Sequence, residues 1–131
     1  MSTIEEVLGD DASALSMLKV VADGSFDSIL VTDATPAGKI VFANRAFEKL
    51  TGYRRADVLG KTPRILQGAG TDPKVIDRLR HCLSAGKAFE GKAINYKKDG
   101  TPFIMFWRVL PIRVGKKITA WVAIQREGAV I

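Results

Sequence analysis

The sequence predicts an α+β domain: a five-stranded antiparallel sheet with helices packed on one face, preceded by an N-terminal helical extension. Three observations carry this. Two short β-branched runs flank a Pro/Gly turn early in the chain. A strongly amphipathic helix follows at mid-chain, and three apolar runs joined by tight turns close it.

Each element has a local cause. Residues 1–22 read as an amphipathic extension broken once. Thr3-Ile4-Glu5-Glu6 has the capping-box pattern, Gly9 interrupts, and Asp10-Asp11 can cap a second piece with Leu15, Leu18 and Val21 on one face. Residues 28–33 and 39–43 form an antiparallel pair around the turn Ala34-Thr35-Pro36-Ala37-Gly38. Asn44 opens a short helix with Phe47 and Leu50 inward, and Gly52 suits its C-terminal cap. Residues 54–61 make a further helical turn. Asp72 caps the best helix, Pro73 occupies its first turn and Gly86 ends it. On that helix Val75, Ile76, Leu79 and Leu83 share one face with Cys82 at its edge, Arg80 lies on the opposite edge, and His81 points to the polar side. Strands follow at 88–97, 101–112 and 117–126, separated by Lys98-Asp99-Gly100 and by Arg113-Val114-Gly115-Lys116.

Both faces of this sheet are apolar. Phe103, Met105, Trp107 and Val109 alternate with Ile104, Phe106 and Leu110, and Arg108 interrupts the second set. In the last strand Ile118, Ala120, Val122 and Ile124 oppose Thr119, Trp121, Ala123 and Gln125. A sheet wetted on one side would alternate polar and apolar residues. The second face is therefore expected to lie under the N-terminal helices, another subunit, or both.

The chain of 131 residues is one domain's length. We divide it into the helical extension at 1–22, the sheet domain at 23–126 and a tail at 127–131. One cysteine (Cys82) and one histidine (His81) exclude an internal disulfide, a multi-cysteine zinc site and a nucleophile–base–orienter set, so no metal and no enzymatic activity are expected. The net charge of +6 is spread over the chain, and its longest runs are pairs, which argues against nucleic acid as a partner. No apolar run is long enough to span a membrane and the first residues are acidic, so no membrane contact and a cytoplasmic location are expected. The chain stops soon after the last strand, and neither an output domain nor a long C-terminal effector helix is expected within it.

Several segments, in order, carry a family likeness: Phe42-Ala43-Asn44-Arg45-Ala46-Phe47, Leu50-Thr51-Gly52-Tyr53, the stretch from Gly60 to Asp72, Asn95-Tyr96-Lys97-Lys98-Asp99-Gly100-Thr101-Pro102-Phe103, and Ile124-Gln125-Arg126. Together they resemble the LOV (light-oxygen-voltage) domains, flavin-binding photosensors of the PAS superfamily. The resemblance implies the PAS fold and a sensory role. It further implies that Arg64 and Arg80 hold an FMN phosphate, that Gln67 lies beside the ribityl chain and phosphate, that Asn95 meets the pyrimidine edge, and that Gln125 faces the ring and relays its state. Departures are as informative. Thr62 stands where the family has asparagine, and Pro63 where it has the cysteine that bonds to the excited flavin. Met105 replaces a second asparagine, while Trp107 and Ala123 replace a phenylalanine and a glycine.

Two functions follow from this pattern. One is a sensory module with non-covalent FMN, reduced by a neighbour such as Trp107 or Tyr96 and signalling through Gln125 to the outer sheet face. The other is a cofactor-free module whose pocket is filled by Met105, Trp107 and Ala123, acting by homodimer or PAS–PAS pairing through the outer sheet face and residues 1–22. Cys82 is read as a buried structural thiol, and His81 as a solvent-facing residue rather than a haem ligand.

Overall fold

The computed structural model describes residues 3–8 and 12–128. The break expected at Gly9, the cap expected at Asp10-Asp11, and tail residues 129–131 lie outside the described residues. The elements run α1 (Ile4–Leu8), α2 (Ala12–Gly24), β1 (Ser28–Asp33), β2 (Ile40–Ala43), α3 (Arg45–Thr51), α4 (Arg55–Val58), a 3-10 turn (Pro63–Leu66), α5 (Pro73–Ser84), β3 (Phe89–Tyr96), β4 (Pro102–Val114) and β5 (Lys117–Glu127). The five strands form one antiparallel sheet in the order β2-β1-β5-β4-β3, so the last strand lies at the centre.

The inner face carries two apolar clusters. Phe89, Phe103, Met105, Trp107, Val109 and Trp121 meet the Val75, Leu79, Cys82 and Leu83 stripe of α5. Leu30, Ile40 and Ala43 pack with Phe47, Val58 and Leu66 from α3, α4 and the 3-10 turn. On the opposite face Ile4, Val7 and Leu15 cover Val31, Val41 and Ala120. The N-terminal helices thus supply part of the cover that a two-sided apolar sheet requires. Ile94, Phe106 and Leu110 remain exposed on the strands they do not reach.

Three expectations need correction. Val21 does not face the sheet: it is 59% exposed, and Ala22 takes the inward position. Two successive steps of three, from Leu15 through Leu18 to Val21, drift off the buried face, whereas the step of four from Leu18 returns to it at Ala22. The second hairpin turn is tighter than expected, because β4 continues to Val114 and only Gly115 and Lys116 remain between the strands. The faces of β5 are not uniform either. Between the pairs Ile112–Ala120 and Arg113–Ile118 the register slips by one residue, leaving Thr119 as a bulge. Ile118 therefore joins the α5-side cluster instead of the face of Ala120 and Val122, and the Thr119 hydroxyl is buried without a hydrogen-bond partner.

The capping residues read from sequence are present. Thr3 Oγ1 accepts from the Glu6 N–H at 3.2 Å, Asp72 accepts from the Lys74 N–H at 2.9 Å, and Gly52 closes α3 with φ 79°. Asn44 does more than cap. Its Oδ1 accepts from the N–H groups of Phe47 (3.1 Å) and Ile29 (2.8 Å), and its Nδ2 donates to the carbonyls of Ala22 (2.6 Å) and Asp27 (3.0 Å).

Both rims of the sheet are tied down. At β2, Ile40 donates to the Lys61 carbonyl (2.8 Å) and accepts from the Gly60 N–H (2.9 Å). At β3, Arg78 Nη1 donates to the Glu90 carbonyl (2.9 Å) and Thr71 Oγ1 to the Ile94 carbonyl (2.7 Å).

Replacing Asn44 by alanine removes four hydrogen bonds at a fully buried position. Urea unfolding should show a loss of about 3 kcal/mol, against less than about 0.5 kcal/mol for Lys49→Ala on the exposed side of α3. An equal, small change in both variants would show that the Asn44 network contributes little.

Candidate functional site

Between α5, the 3-10 turn and the inner sheet face lies a cavity of about 540 Å3. Its size is that of a site for a cofactor-sized ligand. The walls arise from ordinary folding rules. Strand alternation sends Asn95, Met105, Trp107, Val109, Trp121, Ala123 and Gln125 to one face. The helical repeat of α5 turns Ile76, Leu79, Arg80 and Leu83 to the same space. Pro63 opens the 3-10 turn, where its missing N–H costs nothing, and the turn then delivers Arg64 and Leu66 to the cavity.

Every residue singled out from the sequence as a cofactor contact lines this one cavity: Thr62, Arg64, Gln67, Arg80, Asn95 and Gln125. So do the other four departures from the family pattern, Pro63, Met105, Trp107 and Ala123. The polar groups are sorted along it. Arg64 and Arg80 are exposed, whereas Asn95 and Gln125 are 3% and 2% exposed. Arg80 makes only a long ion pair with Asp77 (3.8 Å) in a solvent-rich setting, so both guanidinium groups are available to an anion. Ser28 Oγ donates to Gln125 Oε1 at 2.9 Å, which leaves the amide N–H2 as the end offered to the cavity. Asn95 Nδ2 makes one long bond to the Ala93 carbonyl (3.3 Å).

The filled pocket expected from Met105, Trp107 and Ala123 is not observed. Trp107 packs on Phe89, with ring centroids 5.0 Å apart and planes tilted by 47°, and lines the cavity without closing it. Its cross-strand neighbour on β3 is Gly91, where a β-carbon would come within 2.6 Å of the Phe89 ring. The absent side chain leaves room for the Phe89 ring, and so for its contact with Trp107.

Tyr96 does not line the cavity. It alternates away from Asn95 and stands beneath Gly68 and Gly70. His81 is exposed, and Cys82 is half-buried against the α5-side core, outside the cavity lining.

Sequence reasoning missed the mouth. Thr32 to Gly38, read only as strand end and turn, also line the cavity. The buried Asp33 carboxylate holds this loop, accepting from the Thr35 hydroxyl (2.6 Å), the Thr35 N–H (3.2 Å) and the Lys39 N–H (3.0 Å). An Asp followed two residues later by Thr is a readable turn signal, but nothing in it announces a cavity.

Comparison with known proteins agrees with this geometry. The PAS domain family model matches residues 27–127, and the chain belongs to that family. Its relatives are of the LOV type. Phototropin-1A of Oryza sativa subsp. japonica is 44% identical over 87 residues, which is 66% of this chain and 9% of that protein. Adagio protein 3 of Arabidopsis thaliana is 36% identical over 120 residues, 84% of this chain and 19% of that protein. The chain thus spans less than a fifth of these relatives. Among solved structures, the light state of the blue-light photoreceptor Aureochrome1 LOV superposes with TM-score 0.75 at 32% identity, covering 92% of this chain and 90% of that one. The LOV domain of the Erythrobacter litoralis EL346 blue-light activated histidine kinase gives 0.74 at 31%, covering 77% and 94%.

An open cavity at Ala123 can be tested without any ligand. Ala123→Leu adds volume toward that space and should change unfolding free energy by less than about 1 kcal/mol, whereas the same change in a filled core costs about 1–3 kcal/mol. A thermal or urea measurement distinguishes the two.

Proposed function

We propose that the chain is a non-enzymatic sensory module that binds FMN non-covalently and cannot form a cysteinyl adduct. The observation that carries this reading is a single cavity with cations at its mouth and buried amides at its inner wall. Arg64 and Arg80 suit a phosphate, which their planar forks bind bidentately. Gln67 is the polar neighbour of a ribityl chain and phosphate, Thr62 is a shortened polar partner of the ring, and Asn95 meets the pyrimidine edge. Met105 leaves that edge one partner short, a weakening of about 1–3 kcal/mol. Pro63 has no thiol to offer. Trp107 and Trp121 both line the cavity and are the aromatic side chains positioned to donate an electron, in place of the outward-facing Tyr96.

Bound flavin supplies blue-light absorption and redox cycling. The chain's part is the relay. Gln125 offers N–H2 to the ring while Ser28 fixes its oxygen. A change in ring protonation favours the other end of the amide and forces the Ser28 hydroxyl to reverse. Ser28 and Gln125 are directly opposed on β1 and β5, so the exchange alters the central ladder. The face behind it carries Phe106 and Leu110, and α2 exposes Met17 and Val20 at 69% and 70%. These apolar surfaces suit homodimer or PAS–PAS pairing.

Three measurements test the proposal. Purified protein mixed with FMN should acquire a structured blue absorption band that survives gel filtration, and blue light should not bleach it into an adduct spectrum. Pro63→Cys should introduce that bleaching, with recovery in the dark. Gln125→Leu should keep the band but abolish any light- or redox-dependent change in assembly. A colourless protein after reconstitution sinks the flavin reading, and an unaltered response in Gln125→Leu sinks the relay.

A further inference from the structure

The two arginines at the cavity mouth are on separate elements, and the segment joining those elements is clasped to the sheet at two points, one of them a side chain of the sheet itself. We propose that Tyr96, which touches no part of the cavity, is a positioning residue that sets the spacing of Arg64 and Arg80 and so determines preference for a phosphorylated ligand. The inference rests on the FMN reading above.

Residues 67–72 connect the 3-10 turn, which carries Arg64, to α5, which carries Arg80. Apolar packing holds both elements: Leu66 is fully buried, and Ile76, Leu79 and Leu83 face the cavity and core. Such packing is non-directional and leaves rotation and sliding of a helix weakly specified. The connecting loop supplies direction. Its ends meet through Gly68 N–H to Thr71 Oγ1 (3.0 Å) and Thr71 N–H to the Gly68 carbonyl (3.1 Å). It is then pinned to β3 twice. Thr71 Oγ1 donates to the Ile94 carbonyl at 2.7 Å, and the Gly70 N–H donates to the Tyr96 hydroxyl at 2.7 Å.

Gly68 lies on the face of the Tyr96 ring. A β-carbon there would stand 2.5 Å from the ring carbons, and one on Gly70 would stand 2.7 Å from the hydroxyl oxygen. The close approach therefore requires glycine at both positions, and the tyrosine fixes loop height by its ring and loop register by its hydroxyl. Among the described residues the Arg64 guanidinium makes no hydrogen bond or ion pair, and that of Arg80 has only its weak pair with Asp77. Neither guanidinium is held firmly by another side chain, the Arg80–Asp77 pair being long and exposed, so backbone placement decides where they meet an anion.

The test compares FMN with riboflavin, which lacks the phosphate, by fluorescence titration of the full chain, Tyr96→Phe and Gly68→Ala. The parent should prefer FMN. Tyr96→Phe keeps the ring but loses the hydroxyl, and should lower the FMN-to-riboflavin preference about fivefold while riboflavin affinity stays within about twofold. Gly68→Ala should lower the preference at least as far. In ligand-free protein the Gly70 amide should exchange its hydrogen faster in Tyr96→Phe. An unchanged preference in a parent that binds FMN overturns the inference alone, and so does an equal loss for both ligands. A parent that binds neither ligand overturns the inference together with the reading beneath it.

Discussion

The carboxamide of Asn44 is the junction on which the arrangement of layers depends. A buried amide has two donors and two acceptor positions, and here all are used on backbone groups from four separate stretches of chain. The end of α2, the link into β1, the first strand itself and the N-terminus of α3 are thereby fixed relative to one another. Because α2 belongs to the outer layer and α3 to the inner one, the same side chain sets the sheet's position between its two covers. Hydrophobic contact alone would hold these layers together without saying how they align. A hydrogen-bond network with every member satisfied supplies that specificity.

The inner sheet face must serve as core and as site at once. Leu30, Phe103 and Val109 are buried there as any core residues are, while Asn95 and Gln125 are as deeply buried and yet keep polar capacity turned to the cavity. Burying an amide is tolerable only where partners exist for it. Ser28 serves one end of Gln125, and the ligand we propose would serve the other. The core is therefore incomplete in a directed way, its deficits grouped where a polar ring edge would relieve them.

Much of this was legible beforehand. The strands, the Asp72–Pro73 start of α5, the Asn44 cap and the apolar stripe Val75, Ile76, Leu79 and Leu83 follow from local rules, since periodicity and capping are written in neighbouring residues. That Arg64, Asn95 and Gln125 would share one cavity came from family likeness, because they are far apart in sequence and no local rule joins them. What escaped was long-range. The slip at Thr119 depends on β4 across the ladder, and the position of Val21 on how α2 rolls over β1. The packing of Trp107 on Phe89 depends on an absent side chain at Gly91, across the ladder from Trp107. The role of the Asp33 loop as a mouth, and the Tyr96–Gly70 contact, are likewise set by topology rather than by their own sequence neighbours.

The rims of the sheet have a consequence for how copies of this domain can meet. An open strand edge invites a second chain to extend the ladder without limit, the route to fibres. Here the backbone of residues 60 and 61 occupies one rim, and side chains of Arg78 and Thr71 take carbonyls on the other. A visiting strand would have to displace bonds already made. The exposed apolar surface lies elsewhere, in Ile94, Phe106 and Leu110 on the outer sheet face and Met17 and Val20 on α2, so the ladder's ends are not where the molecule is stickiest.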